Sequence, residues 1–315
     1  MAESYNTLAG LVQINDKNLA DLDISDLLDE APLLQVLHSQ VASNGTLHKY
    51  LKQTTASSSA FRDALDGATK TASADTLVTD TLKILDGSFS TDVALADGYK
   101  GGRDAWLQME LVRTLKQLFF NIEQQIFYGV ASPGDSNGFV GLRDDAQLDA
   151  LADDMVYNAG GTTASTQTSV YLLRSGQNDV SYILGNEGNI VVEDDPTIIE
   201  KDGSGSGTYP ALYVPVTGWQ GFQIGGAYSA ARIANLHASD ANSQLTDDML
   251  YEALALFPAS RQPNMIAMNR QSLKQLRESR TAVNPTGAPA ERPTAVDGIP
   301  IVVTDALVNT EAVEV

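Results

Sequence analysis

The sequence contains no cysteine, which excludes disulfides, thiolate metal sites and cysteine nucleophiles together. Histidine is scarce. His38, His48 and His237 are the three in the chain, far apart and without an H-x-x-x-H pair, which argues against a zinc site built on them. No run approaches the roughly 18 apolar residues of a membrane span. The opening M-A-E-S-Y-N lacks the basic and apolar parts of a secretory signal. The expectation is a soluble protein made in a cytoplasm, with no membrane partner. Positive charge is also short: 20 Lys and Arg face 40 Asp and Glu, giving a net charge of −20 and a pI near 4.3. Such a surface repels phosphate backbones and disfavours broad direct binding of nucleic acid.

What is present suffices for two or three packed units: 315 residues, 43% hydrophobic and 19% charged. The organising stretch is 102–129, G-R-D-A-W-L-Q-M-E-L-V-R-T-L-K-Q-L-F-F-N-I-E-Q-Q-I-F-Y-G. Leu107, Leu111, Leu115, Leu118, Ile122 and Ile126 recur at helical spacing and draw one apolar stripe, widened by Trp106, Val112, Phe119 and Phe127. Arg103, Glu110, Arg113, Lys116, Asn121 and Glu123 fall mostly on the other side. Asp104 suits the first turn and Gly129 supplies a stop. With no Gly or Pro inside, the pattern predicts one straight helix over 103–128, about 39 Å long at roughly 1.5 Å per residue.

Before this helix, a helical pattern from Asn18 is punctuated by acids and broken by Pro32, and a short second helix carries Leu33, Leu34, Val36 and Leu37. Residues 45–75 change character. His48, Lys49 and Lys52 make a basic spot, and a Ser/Thr/Ala-rich piece with little to bury follows. That length without strong periodicity reads as an excursion, a flexible loop or a two-stranded arm. Residues 76–95 are its returning strand, with Asp86-Gly87 as a turn. After the helix come a glycine-rich corner (131–142) and a short acidic helix on Leu148, Leu151, Met155 and Val156, closed by Gly160-Gly161. Strands are expected at 169–174, 180–184, 190–192, 211–216, 221–224 and 230–236, with 203–207 a loop tip. Thr246 caps a helix through Phe257, 265–268 is a buried strand, 271–280 a helix, 281–294 a Pro-rich loop, and 298–305 a strand entered through Pro300. The mixed apolar and acidic tail, 308–315, reads as tied down.

Motifs for chemistry are missing. There is no G-x-x-x-x-G-K-[ST], G-x-S-x-G or H-E-x-x-H. Gly221-Phe-Gln-Ile-Gly-Gly226 lies between strands rather than opening a helix, which argues against a dinucleotide site. Acidic pairs recur at Asp144-Asp145, Asp153-Asp154, Asp194-Asp195 and Asp247-Asp248. Each lies near a turn or helix end, where solvated or capping roles are expected. No catalytic, cofactor-binding or metal-binding residue is therefore assigned, and no cofactor.

The order of parts resembles the major capsid proteins of tailed bacteriophages, which share the HK97 fold. Three segments carry the resemblance: the long helix ending I-E-Q-Q-I-F-Y-G before N-G-F-V-G-L (137–142), P-N-M-I-A-M-N-R-Q-S-L (263–273), and V-D-G-I-P-I-V-V-T-D-A-L (296–307). The implied class is α+β, an HK97-like capsid fold. It divides into an N-terminal arm (1–44), an extended loop over a neighbour (45–86), a peripheral domain with the spine helix 103–128 (87–168), a β-rich section either peripheral or axial (169–240), and an axial domain with the C-terminal strand (241–315). In better-known members a β-rich section follows the G-x-P strand, whereas here it precedes it. The resemblance implies hexamers and pentamers in an icosahedral shell around double-stranded DNA, without sequence-specific binding or catalysis. It also implies portal, scaffold and decoration partners, synthesis in a host bacterial cytoplasm, and a final place in the virion. Some members crosslink a lysine to an asparagine. Lys49, Lys52 and Lys70 lie in the loop, but no catalytic carboxylate is indicated, so none is assigned. The rival readings are an encapsulin-like compartment shell and, on other chemistry, a carboxylate-based hydrolase needing two acids about 5 to 9.5 Å apart in a cleft.

Overall fold

In the computed structural model the residues described are 13–14, 28–55, 61–67, 74–193, 197–201, 207–284 and 288–314. Their elements, in order, are β1 (Gln13–Ile14), α1 (Pro32–Val36), β2 (Ser39–Val41), β3 (Leu47–Thr55), β4 (Ala74–Thr81), β5 (Lys83–Asp86), β6 (Phe89–Asp92), α2 (Val93–Gly98) and α3 (Arg103–Tyr128). Then follow β7 (Val156–Asn158), β8 (Gln167–Leu173), β9 (Val180–Leu184), β10 (Asn189–Val192), β11 (Thr197–Lys201), β12 (Thr208–Val214), β13 (Val216–Ile224) and β14 (Ala230–His237). The chain closes with α4 (Asp247–Ala255), β15 (Met265–Met268), α5 (Arg270–Ala282), β16 (Ala295–Val296) and β17 (Ile299–Val303). This is the α+β class. Among the described residues no helix is long and apolar enough to cross a membrane.

Helix α3 begins after Gly102 and stops at Gly129, as its pattern predicts. Gly129 has φ +57, and a Cβ there would collide with the Asp144 carboxylate, which accepts hydrogen bonds from Val130 and Gly141 backbone N–H groups at 2.8 and 3.1 Å. The stop and the following corner are thus one structure, and only glycine fits its apex. Burial is uneven along the helix: from Leu111 onward the stripe is covered, whereas the first two turns are half-buried.

Two sheets flank this helix. One is a long, mostly antiparallel band made of a six-stranded sheet centred on β13 and a three-stranded sheet centred on β12. On one side lie β5 and β6, and the register is unbroken between them, with Asp86 opposite Thr217 and Phe89 opposite Val214. Asp86-Gly87 is therefore not the expected hairpin turn; the strand runs through it. Gly87 is needed for another reason, because a Cβ there would come within 2.6 Å of Leu118 on the helix. On the other side β9, β10 and β11 pair with β13 and β12, β2 extends β9, and β1 extends β10. The second sheet runs β16-β17-β15-β8-β14-β7, with α4 and α5 nearby. β8 and β14, within the 169–240 section, belong to this sheet, whereas β9 to β13 belong to the band.

The helix C-terminal half is packed where the two sheets meet. Phe127 meets Tyr171 of β8 in a tilted ring pair at 5.3 Å, and Phe139, within the corner, lies 6.4 Å from both Tyr182 and Phe222 of the band. At the other end Trp106 donates to Thr91 of β6 at 3.0 Å.

Several local expectations are corrected. The acidic helix at 148–156 is a series of turns leading into β7, because Val156 pairs in parallel with Arg232 and Asp153 accepts from the Ala150 N–H at 2.9 Å. α2 and β11 have weak local patterns and were not anticipated. Residues 18–27 of the helix from Asn18, residues 203–206 of the loop tip, and parts of the arm, the 45–75 excursion and the Pro-rich loop lie outside the described residues; α1 stands where the short second helix was expected.

Candidate functional surfaces

The excursion at 45–75 is, over its described residues, a two-stranded ribbon: β3 and β4 pair antiparallel from Leu47↔Thr81 to Thr55↔Ala74. Alternation gives the ribbon two unlike faces. One holds Leu51 and Leu77, directly opposite each other and 64% and 59% exposed. Farther out, Phe61 and Leu65 are fully exposed. The other face meets the body at its root. His48 is buried there and its Nε2 lies 2.8 Å from Gln223 Oε1. Lys52 pairs with Asp145 at 3.2 Å, and burial holds the Asp80 and Tyr50 pKa values above their usual ranges. Of the expected basic spot, then, His48 and Lys52 are consumed by the body and Lys49 alone is exposed; Lys70 lies outside the described residues.

A second feature is a groove of about 620 Å³ between helix α3 and β5, lined by Ile84, Asn121, Gln124 and Asn137 among others. Among the described residues β5 pairs with β13 alone, so its other edge is unpaired.

The interior holds two charged centres that the pattern reading missed. Arg232, 1% exposed, donates to Ser169 Oγ (3.0 Å), the Leu148 carbonyl (3.1 Å) and Glu314 (2.9 Å), and lies 3.5 Å from Glu311. Glu311 also accepts from Tyr128 OH and Ser169 Oγ, both at 2.6 Å. Burial opposes the charge on Arg232, but the pull of Tyr171, Glu311 and Glu314 outweighs it and raises its pKa; burial pushes Tyr171 up to about 12. The cluster pins the tail, with Gln167 and Glu311 bridging through their backbones and Glu314 exchanging bonds with Asn235 at 2.8 and 3.0 Å. An arginine inside A-A-R-I-A-N-L-H, a strand buried throughout, was the legible signal.

Glu123 corrects the helix reading. Expected on the outer side, it is fully buried and accepts from the Leu33 N–H of α1 at 3.1 Å. Burial pushes its carboxyl up to about 7, against the opposing effect of hydrogen bonds from Thr304, Leu33 and Leu34. The spacing Phe119, Glu123, Ile126 places it on the apolar stripe, which could have been seen.

The described acidic pairs serve the fold. Asp144 holds the corner, Asp145 meets Lys52, and Asp247 takes Arg280 in a two-pronged pair at 2.6 and 2.7 Å. Among the described residues no cluster of His, Asp and Glu is arranged to hold a metal ion.

Comparison with known proteins agrees with this architecture. A family model described as major capsid protein GP7 matches residues 16–315. The solved structure of bacteriophage Epsilon15 is similar with a TM-score of 0.65 at 18% identity, over 88% of each chain. The bacteriophage JBD30 capsid is similar with a TM-score of 0.50 at 11% identity, over 94% of this chain and 95% of that one. These are the HK97-like folds that the resemblance implied. A search of curated proteins found no match.

Proposed function

The chain belongs to the family of the major capsid protein GP7, a phage shell protein that assembles with copies of itself, and from that premise we propose how its parts divide the work. The band β5–β6, β9–β13 and helix α3 form the peripheral domain. The sheet of β7, β8 and β14 to β17, with α4 and α5, forms the axial domain and gathers at capsomer centres. Residues 1–44 act as an arm and the ribbon reaches over a neighbouring copy, whose α3–β5 groove accepts an extended segment.

The observation that carries this reading is the ribbon's uncovered apolar face. Among the described residues Leu51 and Leu77 are more than half exposed and Phe61 and Leu65 fully so, and their burial belongs to identical subunits, where many weak contacts add up. The net charge of −20 suits a wall that does not bind packed DNA. Hexamers and pentamers, portal, scaffold and decoration partners, synthesis in the host cytoplasm, and the lack of catalysis are part of the same proposal. Negative-stain microscopy of the expressed chain should show shells, rings or tubes. Deleting residues 46–75 should leave a soluble subunit that closes no shells, and normal particles from that variant would refute the ribbon's role.

A further inference from the structure

The ribbon is fastened to its own body at the root by the Lys52–Asp145 pair and by one imidazole. The Ser43 backbone N–H can only donate, and it lies 3.3 Å from His48 Nδ1, so that nitrogen accepts. The ring proton is therefore on Nε2, 2.8 Å from Gln223 Oε1. The Gln223 amide is itself oriented, because its oxygen accepts from Gln40 Nε2 at 2.9 Å and its nitrogen donates to the Gln177 carbonyl at 3.0 Å. His48 is thus held in one tautomer by bonds to β13 and to the turn before β3, and β2 acts on it through Gln223.

A second ring proton would sit on Nδ1 and face the Ser43 N–H, donor against donor. The register places Asp80 of β4 directly opposite His48. The other titratable and charged groups around the ring are Tyr50, stacked at 5.8 Å and hydrogen-bonded to Asp80, Lys52 on the same strand, and Asp145 paired with Lys52. From the body, Gln223 of β13 meets the ring and Gln40 of β2 meets Gln223.

We propose that His48 is a proton-operated latch: neutral, it bonds the ribbon to the body; charged, it turns to Asp80, which travels with the ribbon. Protonation thereby loosens the root and lets the ribbon pivot. The consequence for contact between copies rests on the ribbon's proposed role, but the latch itself does not, and it can be read whether or not particles form.

Hydrogen exchange of the full chain, followed by mass spectrometry over residues 43–52 and 76–82 and corrected for intrinsic rates, tests it. On acidification from about pH 7.5 to about 5.5, protection of the root should fall roughly tenfold, the worth of one or two hydrogen bonds. His48→Gln should remove that pH dependence, and Gln223→Leu should leave the root weakly protected at both values. An equal acid-induced loss in His48→Gln, or no loss in the unmodified chain, overturns the latch. Independently of any variant, ring nitrogen shifts should report the Nε2–H tautomer at neutral pH; the Nδ1–H tautomer would overturn it as well.

Discussion

The ribbon and the C-terminal tail are both strips of chain that leave the sheets, yet they meet opposite fates. The tail is covered. Ala306 and Leu307 are buried, Val308 N–H donates to Tyr128 OH at 3.0 Å, and Glu311 and Glu314 close on Arg232. Over its described residues the ribbon meets its body at the root, around His48, Tyr50 and Lys52, and it turns Leu51 and Leu77 to solvent. A tail completed within the chain contributes to the stability of one subunit. A ribbon left incomplete is, in the proposed function, completed by other copies. Changes in the two regions should accordingly be separable.

The largest expected effect is on assembly. Leu51→Asp with Leu77→Asp should abolish closed particles in microscopy and sedimentation while moving subunit stability by no more than about 0.5 kcal/mol, as exposed substitutions do. Intact shells from this double variant would break the comparison from the ribbon's side. On the tail's side, Arg232→Met strands Glu311 as an uncompensated buried charge. Urea unfolding should report a loss of about 3–5 kcal/mol, and a loss below about 1 kcal/mol would mean the cluster does not hold the tail.

Glu123 sharpens the contrast, since it fastens α1, near the other end of the chain, to the spine helix. Its folded pKa of about 7 is raised above the ordinary value near 4.3, so the folded state binds the proton more tightly. That stabilisation is complete below about pH 4 and is lost as pH rises through about 7. Glu123→Gln should flatten this slope and raise stability at about pH 8 by something on the order of 2–3 kcal/mol, as measured by denaturant midpoints across pH. The opposite slope would refute the assignment. The smallest effect is expected for Lys52→Ala, which removes a partly exposed ion pair at the ribbon root. It should cost about 1 kcal/mol or less, with increased hydrogen exchange confined to β3 and β4.

Much of the fold was legible because its determinants are local. Helix α3 was read to its end residues from a stripe bounded by Gly102 and Gly129, and β9 and β15 were read to theirs from runs between turn residues. The turn at Asp86-Gly87 misled because glycine there serves a close approach to Leu118, which lies on another element. The turns at 148–156 misled because helical spacing of Leu148, Leu151 and Met155 was overruled by pairing of Val156 with β14. Of the surfaces, the excursion was visible as a stretch with little to bury, but its pairing and the body-bound fate of His48 and Lys52 were not.

By itself the sequence determined the ends of α3, β9 and β15, and that 45–75 is a poor core. Spacing, caps and breakers act within a few residues, so one stretch carries the whole cause. Tertiary structure alone decided that 83–92 pairs with 211–220, that Glu123 faces inward to α1, and that Arg232 receives the tail's carboxylates. Those outcomes depend on partners some 80 to 130 residues away, where burial makes an unpaired charge costly and a paired one tolerable.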